Sequence, residues 1–413
     1  MEYGCIGEHL PHSFSKEIHE LIETYDYQLK EIAPEDLDAF MKAADFQAIN
    51  VTIPYKQSVI PYLSQISEQA ETIGAVNTIV NRDGKLYGYN TDFFGMNALF
   101  NKLELDPAGK KVLILGTGGT SRTAKALMED RGAGEIYRVS RTGKEDALSY
   151  EEIYEKHTDA EIVINTTPAG MFPKTNDSPL DLARFPKLEG VVDVVYNPLR
   201  TLLIQQAESL GVKAEGGLYM LVAQAVYAAQ FFTGKEYRPE IIDRIFKKIR
   251  SDKENIVITG MSGAGKSAVG TTLHRITGRK LYDTDVLIAE KAGLPIPEIF
   301  RIYGEDHFRD LEAEVIRDIA TENGALISTG GGAVLRQQNI QELKKNGRVF
   351  FLRRDISEIP PSKDRPLADT EEKVAALYQK RLPIYEATAD SDVYVTGTPE
   401  DTAQILLKTR IDN

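Results

Sequence analysis

The chain has little cysteine and comparatively little positive charge, and it has no long unbroken apolar run. Cys5 is the single cysteine among 413 residues. No disulfide framework can form within the chain, and a lone thiol in an apolar start reads as a small buried hydrophobe rather than a nucleophile. Lysine and arginine number 49 against 62 aspartates and glutamates, a formal net charge of −13. That balance excludes a phosphate backbone as the main ligand, because nucleic-acid binding needs a basic field. Small anions would have to be caught by local arginines and lysines. The most apolar stretch, residues 218–232, is interrupted by Gln224 and Gln230 and falls short of the roughly twenty residues of a membrane span. Met1-Glu2-Tyr3-Gly4 lacks the basic and apolar regions of a secretory leader. A cytoplasmic globular protein of two or three domains is therefore expected. Its expected partners are small molecules, neither nucleic acid nor membrane, with self-association as a homo-oligomer left open.

What is present is most explicit at residues 256–267. The β-branched run Ile256-Val257-Ile258-Thr259 feeds into Gly260-Met261-Ser262-Gly263-Ala264-Gly265-Lys266-Ser267, the spacing GxxxxGK[ST] of a P-loop between a strand and a helix. Backbone N–H groups can wrap a triphosphate only where no Cβ intrudes. Lys266 then reaches the β- and γ-oxygens, and the Ser267 hydroxyl holds Mg²⁺. ATP or GTP with Mg²⁺ is the expected ligand.

The first hundred residues read as an α/β unit, with strands over 3–6, 25–32, 48–53 and 78–80 and helices over 15–24, 34–43 and 64–73. Polar clusters fall at strand ends, where α/β folds place ligands. They are Ser13/Ser15, the run from Asn50 to Lys56, Asn77-Thr78, and Asn90-Thr91-Asp92. Taken locally, the serines are an N-cap and its neighbour, and Asp92 is a cap for a helix from about Phe93. A lysine and an aspartate meeting in a closed cleft would instead form a proton-transfer pair.

The next segment alternates strands (111–115, 136–139, 162–164, 191–195) with helices, the order of a doubly wound sheet. Its first strand runs into Gly116-Thr117-Gly118-Gly119-Thr120-Ser121, with a helix expected from about Arg122. This is a glycine turn without the full dinucleotide spacing. After the second strand, Ser140-Arg141-Thr142, with Lys144 nearby, stands where an NAD site places an acid. Arginine there favours a 2′-phosphate, hence NADP over NAD. A helix over 239–250 and a short polar connection, 251–255, lead to the P-loop.

These motifs carry two resemblances. His12-Ser13-Phe14-Ser15, Asn50-Val51-Thr52-Ile53-Pro54-Tyr55-Lys56, Gly74-Ala75-Val76-Asn77-Thr78 and Gly88-Tyr89-Asn90-Thr91-Asp92 resemble, in order, the motifs of the shikimate dehydrogenase family. The resemblance implies Lys56 and Asp92 as the catalytic dyad and Ser13, Ser15, Thr52, Asn77, Tyr196 and Gln224 as substrate contacts. It also implies NADP(H) at Gly116, Gly118, Gly119, Thr120, Ser140, Arg141, Thr142 and Gly217. Lys16 stands where that family usually has proline. Beyond the P-loop, Asp283 and Asp285, Phe308-Arg309-Asp310-Leu311-Glu312, Gly330-Gly331-Gly332, Arg365-Pro366-Leu367 and Arg381 resemble shikimate kinase. That likeness implies ATP at Gly263, Ala264, Gly265, Lys266 and Ser267, with Arg365 from a lid shorter than usual. Asp285 would be the catalytic base, and Ser267 and Asp283 would hold Mg²⁺. Arg309, Glu312, Gly330, Gly331, Gly332 and Arg381 would form the acid's pocket. The expected fold is an α/β substrate domain (1–103, with a return helix near 217–250), a doubly wound Rossmann-type NADP domain (104–238), and a P-loop nucleoside monophosphate kinase-like α/β domain (254–413). The expected function is reduction of 3-dehydroshikimate to shikimate and its phosphorylation. The alternatives are a related polyol acid such as quinate, or a non-catalytic role for one half.

Overall fold

The structure, a computed structural model, describes residues 1–10, 14–143, 146–362 and 367–412. It divides into two compact units, Met1–Arg250 and Ser251–Asn413.

The first unit holds two sheets. β1 (Tyr3–Gly7), β2 (Tyr27–Glu31), β3 (Ala48–Val51), β4 (Gln65–Ile66), β5 (Thr78–Arg82) and β6 (Lys85–Tyr89) form a mixed sheet in the order β2-β1-β3-β5-β6-β4. β5 and β6 are an antiparallel hairpin closed by Arg82 opposite Lys85. Its two-residue turn, Asp83-Gly84, has φ of 54° and 80°, the left-handed pair that matches strand twist. β7 (Lys111–Leu115), β8 (Glu135–Val139), β9 (Ile162–Asn165), β10 (Gly190–Asp193) and β11 (Lys213–Glu215) form a parallel sheet in the order β11-β10-β9-β7-β8. The order reverses between β7 and β9, the switch point at which such sheets bind ligands.

Several boundaries differ from the sequence expectation. β4, β6 and β11 were not expected, and the helix expected over 64–73 is β4 followed by the short helix Glu68–Ile73, capped by Ser67. The helix expected from Arg122 begins at Gly119, so Gly119 and Thr120 lie in its first turn. The polar connection expected over 251–255 is the last turn of the helix Glu240–Lys253, followed by the strand Asn255–Thr259.

One core joins Phe14, Ile18 and Ile22, Met96, Leu99 and Phe100, and the helices Leu218–Thr233 and Glu240–Lys253. Each fully buried aliphatic side chain there contributes about 1.5–3 kcal/mol. The helices Thr91–Lys102 and Leu218–Thr233 meet at Gly95, where a Cβ would lie 2.7 Å from the Met220 carbonyl and 2.9 Å from Gln224 Cβ. That close approach brings a residue near position 224 to the first turn of the helix at 91.

The second unit is a parallel sheet of β12 (Asn255–Thr259), β13 (Leu281–Asp283), β14 (Leu326–Ser328), β15 (Gly347–Arg353) and β16 (Ser391–Tyr394), in the order β13-β14-β12-β15-β16. Both faces are covered, as an all-parallel sheet requires. Ile256 and Ile258 pack with Val269, Leu273 and Leu406, and Val257 packs with Ile288, Ile316 and Val349. Among the described residues no helix is long and apolar enough to cross a membrane.

Candidate active sites

Asp92 does not cap its helix. The N-cap of Thr91–Lys102 is Asn90, whose side chain accepts a hydrogen bond from Phe93 N at 3.3 Å and donates to Ala75 O at 3.0 Å. Asp92, one residue inside the first turn, is left to pair with Lys56 Nζ at 2.5 Å. The pair is largely buried, with side chains 20% and 12% exposed, and the Lys56 backbone is fixed by Val76 N donating to its carbonyl at 2.8 Å.

Around this pair runs a buried polar network. Asn77 Oδ1 accepts from Thr91 N at 2.7 Å, Thr91 Oγ1 at 3.2 Å and Thr78 Oγ1 at 3.1 Å. Thr91 Oγ1 reaches Gln224 Oε1 at 3.3 Å, while Gln224 Nε2 donates to Leu221 O at 3.0 Å. Behind Asn77 lies Asn50, which donates to Thr78 Oγ1 at 3.1 Å and accepts from the Tyr27 hydroxyl at 2.7 Å. Asn77, Gln224, Lys56 and Asp92 thus come together. Asn50 and Thr91, which help hold them, stand in the polar clusters that the sequence singles out but without an individual role, and Tyr27 stands in none. The sequence signal for Asn50 was an amide inside the apolar strand Ala48-Ile49-Asn50-Val51.

Thr52 is half-buried after β3, with its N–H on Ile6 O at 2.9 Å. Ser15 is the first residue of the helix Ser15–Ile22, whose N-cap position is Phe14 with no side-chain cap bond. Ser15 is therefore not the N-cap of this helix. Ser13 lies outside the described residues. Tyr196 packs on Phe14 with ring centroids 5.3 Å apart. The strand-end loop before it is held by Asp193, which accepts from Asn165 Nδ2 at 2.9 Å, Thr201 Oγ1 at 2.7 Å and Val195 N at 3.0 Å. Complete burial pushes the Asp193 carboxyl up to about 6 against those three donors.

The loop expected to take the cofactor lies after β7, at the switch point. Gly116 has φ 111°, and a Cβ there would lie 2.7 Å from Thr166 Oγ1, so only glycine fits. At Gly118 and Gly119 an added Cβ would meet nothing within 4 Å. Their bareness leaves a cradle beside a helix N-terminus, which suits a pyrophosphate. Thr120 follows in the same first turn, and Ser121 Oγ ties the loop by donating to Gly116 O at 2.7 Å. At the end of β8, Ser140 Oγ accepts from Gly143 N at 3.1 Å, and this turn presents exposed Arg141 and Thr142. Lys144 lies outside the described residues. Gly217 has a different reason: its Cβ would sit 2.1 Å from the Val194 carbonyl, so it serves backbone packing.

In the second unit, β12 delivers the P-loop. Gly260, Gly263 and Gly265 have φ of 141°, 90° and 101°, and Ala264 between them is buried. Lys266 Nζ donates to Gly260 O at 2.9 Å and Met261 O at 2.8 Å. Ser267 Oγ donates to Asp283 Oδ2 at 2.7 Å. Among the described residues there is no group of three or more His, Cys, Asp or Glu able to hold a metal ion. A divalent cation here would rest on Ser267, Asp283 and phosphate oxygens, the usual pattern for Mg²⁺.

Asp283 caps the helix Thr284–Ala292 by accepting from Asp285 N at 3.1 Å, which places Asp285 in the first turn. Burial raises the Asp285 carboxyl above the usual range, the Lys266 ammonium opposes that and Asp283 adds to it. Three residues apart on one helix, Arg309 Nη1 and Glu312 Oε2 pair at 2.7 Å, and Glu305 takes Arg309 Nη2 at 3.1 Å. Gly304, at φ 83° and ψ 174°, breaks that helix just before Glu305.

The loop Gly330–Gly332 is expected to form part of the acid's pocket. Its surroundings are the protein's own side chains. A Cβ on Gly330 would lie 2.6 Å from Asp285 Oδ1, one on Gly331 2.6 Å from Ser262 Oγ, and one on Gly332 2.2 Å from the Arg309 guanidinium. Arg381 Nη1 donates to Gly331 O at 3.1 Å. Around this loop Arg381 Nε and Glu312 Oε1 are buried with no hydrogen-bond partner among the described residues. An unused donor and acceptor of this kind suit a ligand carrying both carboxylate and hydroxyl groups. Arg365 and the lid residues 363–366 lie outside the described residues.

Comparison with known proteins agrees with both halves. The shikimate dehydrogenase substrate binding domain model matches residues 5–79, and the shikimate kinase model matches residues 262–410. Shikimate dehydrogenase (NADP(+)) of Clostridium beijerinckii is 38% identical over 247 residues, 56% of this chain and 91% of that protein. A chorismate mutase/shikimate 5-dehydrogenase fusion protein from Clostridium acetobutylicum is 36% identical, covering 60% of this chain and 96% of that one, with a TM-score of 0.56. Shikimate 5-dehydrogenase from Thermus thermophilus, solved in complex with NADP(H) and shikimate, is 27% identical over 60% of this chain and 99% of its own, with a TM-score of 0.55. The chain belongs to the shikimate dehydrogenase family, with a shikimate kinase domain fused behind that part.

Proposed function

We propose that the chain reduces 3-dehydroshikimate to shikimate with NADPH and phosphorylates shikimate at its 3-hydroxyl with MgATP. The observation that carries this reading is that one chain assembles both a Lys56–Asp92 pair at 2.5 Å and a P-loop beside Asp285, Arg309 and Arg381. We assign residues 1–103 with the return helix to substrate binding, 104–238 to NADP and 254–413 to the kinase. A cytoplasmic setting with small-molecule partners belongs to the same proposal.

For the first reaction Gly116, Gly118, Gly119, Thr120 and the Ser140-Arg141-Thr142 turn would hold NADPH, which would supply the hydride. Lys56 delivers the proton to the oxygen that becomes the new hydroxyl. Asp92 keeps the lysine aimed and its positive charge compensated. Ser13, Ser15, Thr52, Asn77, Tyr196 and Gln224 hold the ring's hydroxyls and carboxylate. In the second reaction Asp285 takes the proton of the attacking hydroxyl, and its burial-raised basicity suits that role. Lys266 and Arg365 spread the charge of the transferring phosphoryl, and Ser267 and Asp283 would hold Mg²⁺, which would supply further charge neutralisation. Arg309 and Arg381 hold the carboxylate, with Glu312 fixing Arg309.

The test uses the whole chain. Purified protein with 3-dehydroshikimate should consume NADPH, and on addition of MgATP should form shikimate 3-phosphate. Lys56→Ala should lower NADPH oxidation by about 10²–10⁴-fold while NADPH still binds and the kinase step persists. Wild-type protein that leaves NADPH absorbance unchanged would sink the dehydrogenase reading.

A further inference from the structure

The Gly331 carbonyl is held from one side by two donors of a single helix. Arg381 and Tyr385 stand four residues apart in the helix Glu371–Thr388, hence on one face. Arg381 Nη1 and the Tyr385 hydroxyl both donate to Gly331 O. From the other side Gly331 is pressed against the P-loop, its missing Cβ 2.6 Å from Ser262 Oγ and 2.8 Å from Ser262 N. Tyr385 is completely buried. Its ring stacks on Phe351 of β15 at 4.9 Å and 14°, and its hydroxyl also lies 3.9 Å from Met261 Sδ, in the P-loop. Phe351 is in turn paired across the sheet with Thr259, the residue before the P-loop. Burial pushes the phenol up to about 12, so it is a donor at any working pH.

One side chain therefore touches the nucleotide loop at Met261, the Gly330–Gly332 loop at the Gly331 carbonyl and the strand β15 at Phe351. We propose that Tyr385 is a positioning residue of the kinase site, which through the Gly331 carbonyl fixes the separation of the phosphoryl donor from the acceptor hydroxyl. Such a residue acts on the alignment of two bound substrates rather than on the binding of either. Alignment is lost steeply with displacement, about 10²-fold in rate for 1 Å. Loss of the hydroxyl leaves Arg381 on the carbonyl, so the displacement is partial and the expected loss smaller.

The inference rests on the kinase reading above, and the experiment separates the two. The full chain carrying Tyr385→Phe, which keeps the ring and its stacking, is assayed for NADPH oxidation and for shikimate phosphorylation in one preparation. The expected result is a kinase kcat lowered about tenfold, KM for ATP and for shikimate each changed less than twofold, and unchanged NADPH oxidation. Phe351→Leu, which loosens the packing around Tyr385 but leaves its hydroxyl, should lower the melting temperature with a much smaller loss of kcat. An unchanged kcat in Tyr385→Phe overturns the proposal. So does a loss confined to the shikimate KM, which would assign the hydroxyl to Arg381 alone, or an equal kcat loss in Phe351→Leu, which would assign it to packing. A wild-type chain that forms no phosphorylated product removes the kinase reading itself, a different outcome from any of these.

Discussion

The two glycine-rich loops that flank the reactions use the same residue for opposite reasons. At Gly118 and Gly119 an added Cβ would meet no protein atom within 4 Å, whereas at Gly330, Gly331 and Gly332 it would collide with Asp285, Ser262 and Arg309. The first loop is bare of protein neighbours at these two positions, which leaves room for the proposed cofactor. The second is bare so that a carboxylate, a hydroxyl and a guanidinium can converge on one turn of backbone. A glycine run in a sequence marks a close approach without saying what approaches, and the neighbours decide whether that is a cofactor or the protein itself.

This contrast can be broken by experiment. The largest effect is expected at Gly332→Ala, where the new methyl would overlap the Arg309 guanidinium. Kinase kcat/KM should fall about 10²–10³-fold by displacing that arginine, with NADPH oxidation intact. A loss below threefold would mean that the loop yields and that Gly332 is not a steric requirement.

Gly119→Ala should behave in the opposite manner. The position is the first residue of the helix Gly119–Asp130, so alanine is tolerated or favoured by up to about 1 kcal/mol. The methyl would enter the space left for the pyrophosphate. We expect an unchanged or slightly higher melting temperature together with a KM for NADPH raised about tenfold. A lower melting temperature with normal KM would place the constraint within the protein, as in the kinase loop.

The smallest effect concerns the unit that carries the dehydrogenase site. His19 is fully buried, stacked on Tyr27 at 4.0 Å with Nδ1 on the Tyr25 hydroxyl at 2.6 Å, and burial lowers it to about 3. The unfolded chain takes up a proton below about pH 6.5 that the native state does not. Stability is therefore full above that pH and falls as pH drops from about 6.5 toward 3, by up to about 1.4 kcal/mol per unit. Urea midpoints followed by far-ultraviolet circular dichroism at pH 7.5 and 5.5 should show this loss in the wild type and a smaller one in His19→Phe. Equal losses in both would assign the acid sensitivity elsewhere.

Much of the architecture was legible because loop chemistry is local. The P-loop spacing, the β-branched strands and the glycine turn after Leu115 each follow from a few adjacent residues. What escaped was decided at a distance. Asn90, Thr91 and Asp92 are all able to cap a helix, and local propensity cannot rank them. The choice fell to Asn90 because Lys56, thirty-six residues away, claims the aspartate. The hairpin of β5 and β6 had its Asp83-Gly84 signal in plain view, but β11, three residues long, has too little periodicity to be seen. Tyr385 stood four residues beyond Arg381, yet nothing local says that the two share one carbonyl, since that carbonyl lies fifty-four residues upstream.

The bond between Thr91 and Gln224 spans 133 residues, and it gives the acid pocket a place in time as well as in space. A ribosome that has released everything through Asp92 has made nearly all of the polar ring, but the ring has no fourth wall until the helix Leu218–Thr233 emerges. Until then Met96, Leu99 and Phe100 of the helix Thr91–Lys102, all fully covered in the finished fold, lack the helix that packs most extensively against theirs. A nascent chain at that stage presents apolar surface that the finished fold buries, the kind of exposure that favours aggregation.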